Sequence, residues 1–170
     1  MSVHNAERRA DYWNYAGIFR PVYLEAMPQD CITHVAINAT ADGKLTATVS
    51  GFESSPGAFQ NLRLEGQILD ADGKPVGTPV GVMDANIQEE ANSWSLQPLI
   101  GYLPNPKTWS AETPNLYTLQ LSLKDKSGKT LHTVEQPFGF RTIEVRSGPG
   151  VDNPGLFVNG QRVMLKGADR

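Results

Sequence analysis

Period two dominates the pattern of apolar and polar positions. Leu45, Ala47 and Val49 alternate with Thr46, Thr48 and Ser50, and Leu62, Leu64, Gly66 and Ile68 with Arg63, Glu65 and Gln67. Tyr117, Leu119, Leu121 and Leu123 alternate with Thr118, Gln120, Ser122 and Lys124, and Val35, Ile37 and Ala39 with His34, Asn38 and Thr40. Alternation of this kind describes strands with one face buried and one wet. Further strands are expected at 75–84, 93–99 and 129–140, and one from Ile18 to Ala26 that Pro28 ends. No apolar stripe at helical spacing runs beyond two turns.

Turn signals punctuate these strands. Asp42-Gly43-Lys44, Asp72-Gly73-Lys74 and Ser127-Gly128-Lys129 share a form in which glycine supplies a positive φ and Asp or Ser caps the turn. Short antiparallel strands joined by such turns over about 110 residues predict an all-β chain built as an immunoglobulin-like antiparallel β-sandwich. The compact unit runs from Cys31 to Ile143. After it, residues 144–155 carry Gly148, Pro149, Gly150 and Pro154, a linker composition. Asn159-Gly160 between Leu156-Phe157-Val158 and Gln161-Arg162-Val163 predicts a hairpin, because a type I′ turn needs positive φ twice. Met164-Leu165-Lys166-Gly167 extends it as an apolar strand.

Composition narrows the function classes. A chain of 170 residues is long enough for a sizeable core. Its sixteen glycines and twelve prolines favour turns over a helical bundle. A net charge of −3 offers no field for nucleic acid, and no apolar run approaches the ~18 residues of a membrane helix. The single cysteine, Cys31, excludes an internal disulfide framework. No secretory signal opens the chain, which carries no information about compartment if the chain is an internal segment.

Candidate chemistry is sparse. Glu89 and Glu90 are neighbours on an extended chain and point to opposite faces, so they suit a solvated loop better than acid/base work. Asp70-Ala71-Asp72-Gly73-Lys74 starts like a calcium loop, but Lys74 and Gly81 stand where oxygen ligands belong. Gly128-Lys129-Thr130 lacks the upstream glycine of a phosphate loop, Leu123 standing in its place. His4, His34 and His132 have no metal-ligand spacing. No metal and no cofactor are expected. Asn38-Ala39-Thr40 forms a glycosylation sequon, and Glu112 is expected to cap a turn or pair with an arginine.

Four segments, in order, carry a resemblance. They are Trp13-Asn14-Tyr15-Ala16-Gly17-Ile18-Phe19-Arg20-Pro21-Val22-Tyr23-Leu24; the run from Pro106 through Trp109-Ser110-Ala111-Glu112-Thr113-Pro114 to Leu119; Phe138-Gly139-Phe140-Arg141-Thr142-Ile143-Glu144; and Phe157 to Arg170. Together they resemble family 2 glycoside hydrolases, the β-galactosidase, β-glucuronidase and β-mannosidase clan. Ala111 replaces a common proline of the family, and Asp169 stands where asparagine is commonest. The resemblance implies three parts. Residues 1–30 would be the end of a sugar-binding jelly roll, 31–143 an immunoglobulin-like sandwich, and 144–170 a linker, hairpin and first strand of a truncated catalytic barrel. It implies a retaining exo-β-glycosidase, acting on a β-galactoside, as the parent. Retaining enzymes use two carboxylates about 5–5.5 Å apart. By the resemblance both glutamates lie beyond this chain, which holds no catalytic residue and should be inactive alone.

Residue roles follow the same division. Asp169 and Arg170 would lie near the parent's substrate pocket, since barrel sites gather at the C-terminal ends of strands. Trp13, Arg20, Trp109 and Arg141 are expected as domain-interface packing residues, with Arg141 paired to a carboxylate. Trp94 is expected in the core or on a sheet face. The expected partners are the other domains of the parent chain, with a β-glycoside only in the full-length enzyme and neither nucleic acid nor membrane. Exposed flanks are expected to be mobile or to pair with another copy. A stand-alone carbohydrate-binding or adhesion module is the competing reading, and a partner-binding domain a third. Exposure of Trp13, Trp94 and Trp109 on an open platform discriminates the module, because sandwiches host many functions.

Overall fold

The computed structural model describes residues 17, 18, 20–55, 62–80, 88–90, 92–149 and 152–167. Among the described residues there are eleven strands: β1 Cys31–Ala39, β2 Lys44–Phe52, β3 Leu62–Leu69, β4 Pro75–Val80, β5 Gln88–Glu90, β6 Ser93–Tyr102, β7 Tyr117–Asp125, β8 Thr130–Phe138, β9 Ile143–Arg146, β10 Gly155–Val158 and β11 Gln161–Val163. One sheet has the order β1-β2-β6-β5 and a second β4-β3-β7-β8, all antiparallel. This is the two-sheet arrangement of an immunoglobulin-like sandwich. No helix among the described residues is long and apolar enough to cross a membrane.

The alternation determines which face meets the other sheet. Leu45, Ala47 and Val49 of β2 are buried against Leu119, Leu121 and Leu123 of β7, with Leu64, Ile68, Trp94, Leu96 and Leu99 completing one core. Gly66 takes an inward position without a side chain. Val80 and Leu121 occupy its place, and a Cβ there would stand 2.9 Å from Val80 Cβ. Trp94 is 1% exposed, and its indole N–H donates to the Phe52 carbonyl at 3.1 Å, the polar partner that a buried indole needs. In β1 a register shift between Ile32 and His34 buries Ile32 and leaves Val35 and Ile37 only half-buried.

Three hairpin turns repeat one geometry. Thr40 N–H donates to Lys44 O and Gly43 N–H to Thr40 O; Asp70, Lys74 and Gly73 repeat this, as do Asp125, Lys129 and Gly128. Gly43, Gly73 and Gly128 have φ of 90°, 77° and 85°. The capping oxygens differ from the expected ones in two turns. Asp70 Oδ1 accepts from the N–H groups of Asp72 and Lys74, and Asp125 Oδ1 from those of Ser127 and Lys129. The carboxylate that opens the turn caps it, which also accounts for Asp70 without a cation.

Several expectations are corrected. Ile18 and residues 20–26 lie in no strand, and Ile18, Val22, Tyr23 and Leu24 are more than three-quarters exposed; no described strand offers them a ladder. Met164-Leu165-Lys166-Gly167 likewise lies outside any strand. At the start of the stretch expected as a linker, Ile143–Arg146 instead forms β9 and pairs with β10. β5, three polar residues, was not anticipated by any apolar pattern. The part of the expected strand 75–84 beyond Val80 falls outside the described residues.

Candidate functional site

A small third sheet, β11-β10-β9, leaves the end of the sandwich. Its junction with the sandwich gathers the resemblance-bearing residues. The β10–β11 turn places Asn159 and Gly160 at φ of 51° and 77°, as a type I′ turn requires. That turn aims the Asn159 side chain back at the sandwich. Asn159 Nδ2–H donates to the Trp109 carbonyl at 3.0 Å, and Asn159 Oδ1 accepts from Thr142 N–H at 2.9 Å. Asn159 N–H donates to Thr142 O at 2.8 Å, and Thr142 Oγ1 accepts from Ala41 N–H at 3.1 Å. Three hydrogen bonds thus tie Asn159 of the hairpin to the Trp109 loop and to Thr142, and a fourth joins Thr142 to the β1–β2 turn.

The Trp109 loop is itself fixed. Trp109 N–H donates to Phe140 O at 2.9 Å, and Trp109 forms a bridge with Pro114. Asn115 Nδ2–H donates to Thr108 O, and Lys107 N–H to the Tyr117 hydroxyl. Beneath it Tyr117, Phe138 and Phe140 form an edge-on aromatic cluster, with Phe138 and Phe140 centroids 5.2 Å apart. Gly139 lets the Trp109 ring approach, for a Cβ there would meet Trp109 Cβ at 2.7 Å. The Arg141 guanidinium lies over the indole, 4.7 Å from its centroid, a cation–π contact. In the third sheet, Arg146 covers the buried Phe157 ring at 3.9 Å and pairs with Glu144 at 2.8 Å.

Of the expected interface residues, Trp109 and Arg141 are brought together here. Arg20 is exposed and has no hydrogen bond or ion pair among the described residues. Trp13, Asp169 and Arg170 lie outside the described residues. Glu112 lies in a turn that Ser110 caps: Thr113 N–H donates to Ser110 Oγ at 3.1 Å, and the Ser110 hydroxyl in turn donates to Glu112 at 3.2 Å. Asn159 and Thr142 were legible only as a turn residue and a motif residue. Nothing in the sequence announces a side-chain bond spanning fifty positions. Trp94 lies in the core and Trp109 beneath Arg141, so neither presents an open aromatic platform.

The shifted carboxyls are turn and surface groups: the Thr40 hydroxyl holds Asp42 below its usual value, the Lys124 ammonium Glu65, and the Ser127 hydroxyl Asp125. Among the described residues no three His, Cys, Asp or Glu side chains converge as a metal site would require.

Comparison with known proteins gives the same frame. Residues 30–141 match the sequence model of "Glycosyl hydrolases family 2". A β-galactosidase of Priestia megaterium is 32% identical over 170 residues, covering 94% of this chain and 15% of its own length. A putative β-glucuronidase of Formosa agariphila is 30% identical, covering 96% of this chain and 18% of its own length. The Parabacteroides merdae β-glucuronidase structure shares the fold at 22% identity with a TM-score of 0.56, over 84% of this chain and 17% of that one. The chain therefore spans less than a fifth of the length of these relatives. With its sandwich inside the matched region and the Trp109 and Phe138–Glu144 segments locked together, the chain belongs to the family 2 glycosyl hydrolases.

Proposed function

We propose that this chain is a non-catalytic, supporting part of a family 2 glycosidase, in which the sandwich spaces and orients a sugar-binding domain and a catalytic barrel. The division is 1–30, 31–143 and 144–170: jelly-roll end, sandwich, and linker with hairpin and first barrel strand. Trp13, Arg20, Trp109 and Arg141 serve the interfaces, while Asp169 and Arg170 lie toward the substrate pocket of the parent. The parent reaction is retaining hydrolysis of a β-galactoside. The observation that carries this reading is the Asn159 clamp, which fixes the direction in which the chain leaves the sandwich. A spacer that sets the placement of a catalytic domain needs such a rigid exit, because misplacement by about 1 Å can cost a hundredfold in rate.

The test is turnover. The purified 170-residue chain, given an aryl β-galactoside, should release no phenol above the buffer blank. Measurable, saturable release would overturn the supporting role.

A further inference from the structure

β1 and β8 are edge strands of different sheets, and they meet along one side of the sandwich. Hydrogen bonds pin the two ends of this seam. At one end Ile32 N–H donates to His132 Nδ1 at 3.1 Å; at the other Arg141 N–H donates to Ala39 O at 2.9 Å. Between the pins β1 and β8 share no ladder, and an open groove of about 650 Å³ lies toward the Arg141 end. Half-buried Val35 and Ile37 line it, with Leu116 and Ile143, each at least half exposed, at its rim. Arg141 is the one charged residue among the described residues of the lining. Its guanidinium face rests on Trp109, and no acceptor for its N–H groups is found among the described residues.

We propose that this groove is a docking site for an extended polypeptide segment that carries a carboxylate. Charge complementarity selects the partner: one pre-oriented guanidinium in an otherwise neutral groove suits a planar, bidentate carboxylate. The apolar floor takes alternate side chains of an extended strand, and the edges of β1 and β8, which have no ladder partner on this side among the described residues, offer backbone partners, as in β-augmentation. Six residues, 33–38, separate the pinned positions on β1, a span of about 20 Å. A five- or six-residue segment matches it. This deepens the supporting role, on which it rests, by naming the chemistry of the contact.

The probe is the blocked pentapeptide Ac-Val-Thr-Glu-Val-Thr-NH2, titrated into the 15N-labelled chain and followed by NMR. Saturable shifts are expected at the Trp109 indole N–H, Arg141 Nε and the amides of Val35, Ile37 and Gln136. The peptide with Gln for Glu should bind roughly tenfold more weakly, the cost of about 1.4 kcal/mol. Arg141→Gln should lose the preference for Glu, and Arg141→Lys should keep part of it, while the amides of β2 and β7 stay in place in both. Absence of saturable shifts, equal binding of the two peptides, or a matching response to free glucuronate alone would overturn the docking site. None of these outcomes bears on turnover by the chain, so failure here and failure of the supporting role remain distinct.

Discussion

The side-chain amide of Asn159 donates to the main-chain carbonyl of Trp109 at 3.0 Å, across fifty residues of sequence. It joins two segments that the resemblance had kept apart, and it explains why a hairpin follows the sandwich in a fixed pose. Asn159→Ala removes both side-chain bonds and puts alanine, which adopts the left-handed region less readily than asparagine, at a φ of 51°. At about 1 kcal/mol for each bond, the hairpin should loosen by about 2 kcal/mol. Amide exchange at Thr142 and Val158 should accelerate while exchange in β7 is unchanged. Unaltered exchange would remove the clamp from the account.

Gly51 makes a sharper steric prediction. A Cβ there would stand 2.0 Å from Cys31 O and 2.4 Å from Trp94 Cζ2, and neither atom belongs to a flexible side-chain tip. Overpacking ordinarily costs about 1–3 kcal/mol, so Gly51→Ala should reach at least the upper end. Denaturant unfolding checks this. Gly139→Ala, whose Cβ meets Trp109 instead, should disturb the Trp109 indole resonance as well.

Acid should weaken the fold in a defined direction. Asp42 and Asp125, ordinarily 3.8, and Glu65, ordinarily 4.5, are all lowered in the folded chain. A carboxyl whose folded value lies below its unfolded one contributes stability that is fully present above the unfolded value. The contribution is lost as pH falls through the folded value. Urea midpoints should therefore change little through neutral pH and fall from about pH 5 downward. Asp125→Asn should make that fall shallower. A steeper fall in the variant would contradict the assignment.

Trimming the chain to residues 31–143 keeps every member of the main core, from Ile32 to Phe140, and loses Phe157 with the Asn159 bonds. One cooperative thermal transition should remain. Its midpoint should drop by roughly 2–8 °C for each kcal/mol the clamp contributes. Loss of cooperativity would make the third sheet integral to the fold.

Much of the sandwich was legible because its signal is local. Leu119, Leu121 and Leu123 need only their own alternation to declare a buried face, and Asn159-Gly160 its own turn. The strand expected at 18–26 failed for the complementary reason. Alternating apolar residues state a wish to be paired, but a ladder needs a neighbour, and none is found beside Val22 or Leu24 among the described residues. β9 was hidden by the glycines and prolines that follow it; its partner, β10, lies beyond them. The junction itself was half legible. Motifs marked Trp109 and Arg141 as interface residues, but the stacking of one on the other is a tertiary contact with no spacing to read.

The three alike turns at 40–44, 70–74 and 125–129 have a kinetic consequence. Each closes a hairpin between strands adjacent in sequence: β1 with β2, β3 with β4, β7 with β8. Hairpins form in about 1–10 μs. The β2–β6 and β3–β7 ladders, whose nearest pairs are Phe52–Ser93 and Leu69–Thr118, close far longer loops. Contacts of that separation set folding speed. The sandwich should thus assemble from three quickly formed ribbons, with the pairing of β2 to β6 and β3 to β7 as the slow event. Substitutions in the turns should then alter the unfolding rate differently from substitutions at Leu96 or Leu121, a contrast that stopped-flow kinetics can read directly.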